Sequence, residues 1–185
     1  MGYTLKIGKK EIDQEYKKDI YADCLDDGLT PEEADRQSSM LAVNVVDEEF
    51  KDAPAFGEPT DFTNGRWPSY SSWSLFTRLT ETGFLFYEES GEFKGGHPGH
   101  FSITKEWLSD LKHFAQRFRD RYPDSIASFD ETVDSHNITI EYIDNYDKTV
   151  NHVPANYMLC RLEWLEYWAE YALDKYGSEA VFYNS

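Results

Sequence analysis

The sequence has few cysteines and no long apolar run. Its two cysteines, Cys24 and Cys160, each lie in an apolar-periodic stretch, without a second cysteine or a histidine at metal-site spacing. This usage predicts two buried, reduced thiols rather than a disulfide. The longest apolar runs are only a few residues long, whereas a membrane-spanning helix needs roughly 20 residues. The sequence therefore predicts a protein without a transmembrane helix.

Several targeting and catalytic motifs are also missing. The first residues, MGYTLKIGKK, have no apolar stretch behind their lysines, and Lys6 stands where myristoylation favours serine or threonine. The chain contains no GxGxxG or Walker loop, no GxSxG elbow, and no HExxH or CxxC pair. These absences predict a cytoplasmic protein without a cofactor, and they give an enzymatic function little support.

Basic residues are scarce, because 18 lysines and arginines stand against 35 aspartates and glutamates, a formal net charge of -17. The excess is spread along the chain, since residues 1–65 hold 16 acidic and 7 basic side chains. The densest basic stretch, Arg117, Arg119 and Arg121, is distributed around a predicted helix and includes Asp120. Such a chain repels phosphate backbones, so direct nucleic-acid binding is disfavoured and a basic protein is the favoured partner. Acidity alone also keeps proteins dispersed.

Large aromatic side chains are abundant and indicate a folded core. The chain has 12 phenylalanines, 13 tyrosines and 5 tryptophans. Its 185 residues fit one domain over residues 1–185, with a less distinctive portion over residues 1–50 and a core over residues 51–185. The predicted strands and helices do not alternate regularly as βαβ units. The prediction is therefore an α+β fold in which a small, mostly antiparallel sheet packs against about three amphipathic helices.

Apolar spacing and capping residues predict the individual elements. Thr30, Pro31 and Glu33 match a capping box at a helix start, and Thr104 precedes the most regular amphipathic pattern. Helices are predicted over residues 12–27, from Pro31 to about residue 40, from residue 69 to a stop at Gly83, and over residues 105–122 and 155–176. Strands are predicted over residues 41–46 and 138–142. Residues 3–7 are predicted as a strand or hairpin with a turn at residues 8–9, residues 84–87 as a strand or extended segment, and residues 180–183 as a packed extended segment. Residues 51–68 and 88–100 are predicted loops.

Two histidines on the glycine-rich loop, His97 and His100, form one candidate site. Imidazoles three residues apart can bind a metal ion with carboxylates close in sequence, such as Glu88, Glu89 and Glu92. A His-Pro-Gly sequence is equally ordinary turn chemistry, and a short histidine pair often matches by chance. The pair therefore predicts either a metal site or a structural turn.

A second candidate site lies where the long loop meets the helix after it. Arg66, Trp67 and Tyr70 place a planar guanidinium beside an indole and a phenol, a combination suited to anchoring a partner. The alternative is that the two rings seal the core beneath the loop while Arg66 pairs with an acidic residue. The sequence leaves both interpretations open.

Five segments together carry a resemblance to a known family: residues 53–60 (APAFGEPT), 64–73 (NGRWPSYSSW), 97–99 (HPG), 161–165 (RLEWL) and 182–185 (FYNS). Over roughly residues 50–185 the chain resembles a family of uncharacterised bacteriophage-encoded proteins. The resemblance implies a phage origin and expression in the bacterial host cytoplasm. It implies no catalytic residues, because the family has no established activity.

The leading functional hypothesis is a non-enzymatic, phage-encoded accessory protein that binds a host or phage protein. Its carboxylates would face a basic site on that partner, as in a nucleic-acid mimic or an inhibitor of a host defence system. One alternative is a metal-dependent hydrolase that uses His97 and His100. Another is a virion or assembly protein that uses exposed aromatic side chains as an interface.

Overall fold

The central sheet joins residues near position 5 to residues near position 184. The computed structural model describes residues 5–41, 43–45, 53–54, 70–97, 99–128, 138–144 and 146–184. Its helices are α1 Gln14–Asp26, α2 Pro31–Leu41, α3 Tyr70–Leu79, α4 Gly83–Phe86, α5 Lys105–Arg121 and α6 Ala155–Tyr176. Its strands are β1 Leu5–Ile12, β2 Val43–Val45, β3 Gly99–Ser102, β4 Thr139–Ile143, β5 Val150–Pro154 and β6 Ala180–Asn184.

Strand β6 lies inside a four-stranded antiparallel sheet of order β2-β1-β6-β3. All five of its residues are buried, because side chains alternate between two covered faces of the sheet. Phe182, opposite Ile7 and Phe101, points into the main core. Val181 and Tyr183 point to the other face, where Leu41 of α2 packs against them. We call these the core face and the α2 face.

Aromatic rings and helix α6 fill the core face. Trp73 of α3 stacks on Phe182 with ring centroids 6.0 Å apart, and Phe86 lies edge-on to Trp73 at 4.6 Å. Helix α6 packs against β1, β6 and α5, and its Trp164 and Trp168 are fully buried. The α+β prediction is confirmed, with the small antiparallel sheet packed against amphipathic helices.

The predicted helix starts are confirmed at atomic detail. The Thr30 amide donates to Glu33 Oε2 at 3.0 Å, and the Glu33 amide donates to Thr30 Oγ1 at 3.4 Å, which is the reciprocal capping box. The Trp107 amide donates to Thr104 Oγ1 at 3.1 Å and begins α5. Helix α6 begins and ends where its apolar pattern does, with Gly177 following at a φ of 58°.

The predicted turn at residues 8–9 is wrong. Gly8 pairs with Val181 on one side and Val45 on the other, and β1 continues to Ile12. Pairing on both edges satisfies the backbone hydrogen bonds and overrides the local preference of Gly-Lys for a turn.

The predicted strand over residues 84–87 is wrong as well. Residues 83–86 form a single helical turn, closed by a 2.9 Å hydrogen bond from the Tyr87 amide to the Gly83 carbonyl. Consecutive Leu85 and Phe86 are both buried, a pattern that a helical turn produces and a half-exposed strand does not. Gly83 therefore begins α4, whereas α3 ends earlier at Leu79.

Three further findings concern the strands, the helices and the cysteines. Strands β3 and β5 were not predicted, because β3 begins within the predicted loop over residues 88–100 and the alternation of β5 is interrupted by polar residues. No helix in the described ranges has an apolar stretch long enough to cross a membrane. Cys24 and Cys160 are both buried and form no disulfide, as predicted.

Candidate functional site

Of the candidate site formed by Arg66, Trp67 and Tyr70, the structure describes only Tyr70. Arg66 and Trp67 lie outside the described residues, and Tyr70 is the first residue of α3. The partner-binding role of Arg66, Trp67 and Tyr70 therefore stays a prediction. The long loop predicted over residues 51–68 lies almost entirely outside the described residues too.

The loop that carries His97 is a tight turn built on glycines. Gly95 has a φ of 76°, and a Cβ there would lie 2.1 Å from the His100 carbonyl oxygen. A Cβ on Gly99 would lie 2.1 Å from the Gly95 carbonyl oxygen. Only glycine permits so close an approach of two backbones. We call residues 95–99, which include His97, the histidine turn.

Asn184 of β6 holds the histidine turn in place. Its Nδ2 donates to the Gly96 carbonyl at 2.9 Å and to the Gly99 carbonyl at 3.3 Å. Its Oδ1 lies 2.5 Å from His97 Nδ1. Because Nδ2 serves the two carbonyls, Oδ1 must be the acceptor, so Nδ1 of His97 carries the proton.

His100 lies on β3, opposite Tyr183 of β6. Tyr183 points to the α2 face, whereas Asn184, the neighbour of His97, points to the core face. Side-chain alternation along the paired strands therefore places His100 and Asn184, the hydrogen-bond partner of His97, on opposite faces of the sheet.

A shallow depression of about 510 Å³ lies beside the histidine turn and is lined in part by His97, Glu88 and Glu92. Both carboxylates are exposed. Among the residues that the structure describes, no three histidine, cysteine, aspartate or glutamate side chains are grouped closely enough to hold a metal ion. The metal site at His97 and His100 stays a prediction, and the observed hydrogen bonds give His97 a structural role in the turn.

The three arginines of α5 form ion pairs with carboxylates. Glu81 accepts from Arg121 and lies 2.9 Å from Arg117 Nη2. The hydrogen bond from Arg121 and the charges of both arginines lower the pKa of the Glu81 carboxyl. Two of the three arginines in the densest positive stretch of the sequence thus share one carboxylate, that of Glu81 just after α3.

The third arginine of this stretch pairs across the α5–α6 interface. Arg119 lies 3.4 Å from Glu163 and 3.3 Å from Glu166. Burial raises the pKa of the Glu166 carboxyl, while Arg119 acts in the opposite direction. Lys112, about two turns earlier on the same face of α5, pairs with Glu170. Helix α5 therefore presents ion pairs rather than a patch of uncompensated positive charge.

Helix α1, unlike α5, carries a row of carboxylates on its solvent-exposed side. We call these residues the α1 carboxylate row: Glu15, Asp19, Asp23 and Asp26. All four are exposed, and they fall within about 80° of one another around the helix axis, opposite the buried Cys24. The row is about 17 Å long, at 1.5 Å per residue. Lys17 lies on the other side and pairs with Asp35 at 2.8 Å, while Lys18 borders the row.

Neither Asn184 nor the α1 carboxylate row stood out among the sequence candidates. The row has a sequence signal, since acidic residues at i, i+4, i+8 and i+11 share one helical face. Asn184 has none, because its partners are set by the pairing of β6 with β3.

Comparison of the chain with protein-family models, with curated proteins and with solved structures finds no match in any of the three.

Proposed function

We propose that this chain is a phage-encoded acidic accessory protein that acts by binding a host or phage protein with a basic surface. The observation that carries the proposal is the α1 carboxylate row, in which four exposed acids are aligned on one face of a helix. Phage origin is supported by the five sequence segments that resemble the phage-encoded family.

The distribution of charge supports a partner that normally binds nucleic acid. The formal net charge is -17, and the arginines of α5 are already engaged with Glu81, Glu163 and Glu166. A basic groove on a partner would meet a line of negative charges in the carboxylate row, as it does in a phosphate backbone. Long-range attraction would speed association and make it depend on salt.

The test immobilises the full chain, passes a bacterial lysate over it, and elutes with increasing NaCl or with a short DNA duplex. Basic proteins should be retained, released as NaCl rises, and displaced by the duplex. The variant Glu15→Gln, Asp19→Asn, Asp23→Asn, Asp26→Asn should retain less of them.

A matched control neutralises four exposed acids away from α1, with Glu88→Gln, Glu89→Gln, Asp110→Asn and Asp124→Asn. It has the same net charge as the α1 variant and should bind nearly as the wild type does. If both variants lost binding equally, total charge alone would determine binding. Retention that does not change with NaCl concentration would refute the proposal.

A further inference from the structure

The hairpin formed by β4 and β5 ends in apolar side chains that are largely exposed among the residues that the structure describes. Ile143 and Val150 face each other across the two strands and are 58% and 56% exposed. Tyr146, in the connecting turn, is 98% exposed. We call these three residues the hairpin tip. Single exposed apolar residues are ordinary on protein surfaces, whereas a contiguous group on a projecting element is typical of an interaction site.

The base of the hairpin is anchored in the core. Ile140 is buried and faces Val153, and both pack in the main hydrophobic cluster. The Ala155 amide donates to the Ile138 carbonyl at 2.8 Å, which ties β5 and α6 to the start of β4. A two-stranded hairpin is marginally stable by itself. Its anchored base therefore gives the exposed end a fixed position.

Helix α3 contacts the exposed end of the hairpin through Arg78. Arg78 Nη2 donates to the Ile143 carbonyl at 3.3 Å, and its guanidinium carbon lies 6.0 Å from the centre of the Tyr142 ring. This contact holds the backbone of Ile143 without covering its side chain.

The turn itself is ordered by its own side chains. Asp144 Oδ1 accepts from the Tyr146 amide at 2.7 Å and from the Asp147 amide at 3.3 Å. Asp147 Oδ1 accepts from the amide and the hydroxyl of Thr149 at 2.9 and 2.7 Å, and these bonds lower the pKa of the Asp147 carboxyl. Lys148 adopts a φ of 59° to close the loop. Tyr146 is thus presented on a preorganised turn, which reduces the entropy lost on binding.

The charges around the hairpin tip indicate which kind of partner surface can bind there. Glu141, Asp144 and Asp147 lie beside the apolar residues, with Lys148 and Arg78 as the nearby cations and His152 lying 3.7 Å from Glu141. A second copy of the chain would bring another -17 and a second set of carboxylates against this rim. An anionic lipid surface would repel the chain in the same way. A basic protein surface is attracted by the same charges.

We propose that the hairpin tip is the apolar anchor that this chain inserts into a pocket, rimmed by lysines and arginines, on its protein partner. Tyr146 fills the pocket, Ile143 and Val150 close around it, and the surrounding carboxylates meet the basic rim. A central aromatic side chain that excludes water, surrounded by charged pairs, is the common arrangement of an interface hot spot. The basic character of the partner rests on the proposed function, whereas the anchoring role of the hairpin tip does not.

The test compares the retention of lysate proteins by the full chain and by the variant Ile143→Thr, Tyr146→Ser, Val150→Thr, which keeps β-branched residues in both strands. The control, Ile12→Thr with Ile126→Thr, removes exposed apolar side chains that lie outside the hairpin. Urea unfolding of all three proteins verifies that the hairpin substitutions leave the fold intact. Proteins retained by the wild type should bind the tip variant at least about 30-fold more weakly, as loss of a hot spot predicts, and the control about equally well.

The outcomes separate the two proposals. Retention of the same proteins by the tip variant and the wild type would overturn the anchor while leaving the acidic accessory function standing. Retention that ignores salt but is lost in the tip variant would support the anchor and refute the basic partner.

Two further measurements test whether a second copy of the chain or a membrane occupies the hairpin tip instead of a basic protein. Dimerisation on a sizing column that the tip variant abolishes would assign the tip to a second copy instead. Binding to phosphatidylglycerol vesicles that the tip variant abolishes would assign it to a membrane. Either result would overturn the proposal.

Discussion

Asn184 shows how one buried side chain positions a whole turn. Its side chain is fully buried, and it serves two carbonyls and one imidazole of the histidine turn. Buried polar groups are retained in proteins when their hydrogen bonds are satisfied, and removing one partner leaves the others without theirs. The conformation of His97 is therefore controlled by a residue 87 positions away.

Replacing this residue should destabilise the protein more than replacing the histidine. We expect Asn184→Ala to lower the free energy of unfolding by about 2–3 kcal/mol, because two carbonyls lose a donor in a buried place. His97→Ala removes one hydrogen bond at an exposed position and should cost about 1 kcal/mol. Urea unfolding measures both, and equal costs would contradict the proposed role of Asn184.

Cys160 is a second residue whose environment has a measurable consequence. Burial, with a smaller contribution from the charge of Glu163, raises the pKa of its thiol to about 12 from an ordinary value of 9.0. Above pH 9 the unfolded chain releases this proton while the folded protein keeps it. The free energy of unfolding therefore falls as the pH rises from about 9 towards 12, and below pH 9 the thiol has no effect on its pH dependence.

The variant Cys160→Ala isolates this contribution from that of tyrosines and lysines. We expect Cys160→Ala to be less stable than the wild type at pH 8, because it leaves a cavity. The difference should shrink by about 1 kcal/mol at pH 10, since only the wild type loses stability through the thiol. Urea unfolding at the two pH values provides the measurement, and an unchanged difference would disprove the shift.

At the scale of elements, helices α2 and α5 follow from local signals, whereas strand β5 does not. Thr104 caps α5 and Thr30 caps α2. In each case a hydroxyl or carboxylate oxygen accepts a hydrogen bond from an amide at the helix start, and this contact does not depend on the rest of the chain. Strand β5 has no such local signal. It forms because residues 150–154 meet β4 in register, with Ile140 opposite Val153.

The cap of α5 gives a direct test of this locality. Thr104→Ala removes the acceptor for the Trp107 amide and should lower the free energy of unfolding by about 1 kcal/mol. Thr104→Ser keeps the hydroxyl and should stay close to the wild type. Urea unfolding of the three proteins decides the matter, and an alanine variant as stable as the serine variant would show that the cap is dispensable.

At the scale of the whole molecule, the dominant feature is uncompensated negative charge. The formal net charge is -17, and ion pairs such as Arg119–Glu163 leave that excess unchanged, because each uses one charge of either sign. Self-repulsion of this kind opposes the compact state. It also favours partners of opposite charge.

Salt should therefore stabilise the free protein. We expect the melting temperature to rise by about 2–4 °C between 20 and 300 mM NaCl, because screening reduces repulsion by on the order of 1 kcal/mol. The variant Glu15→Gln, Asp19→Asn, Asp23→Asn, Asp26→Asn should show a smaller rise. A melting temperature that falls with salt would mean that the ion pairs outweigh the repulsion.

The sequence by itself determined the fold class, the boundaries of α5 and α6, the capping box of α2, the two buried thiols and the acidic character. These features depend on local spacing, on capping chemistry and on composition, all of which act over a few residues or need no geometry. Even the α1 carboxylate row follows from helical periodicity once α1 is assigned.

Only the tertiary structure decided the rest. Gly8 became part of a strand because partners on both sides satisfied its backbone, and residues 83–86 became a helical turn because both Leu85 and Phe86 reached the core. His100 and Asn184, the hydrogen-bond partner of His97, were directed to opposite faces by the pairing of β3 with β6. The physical reason is common to all three: long-range hydrogen bonding and burial outweigh local preferences, which differ by only about 1 kcal/mol.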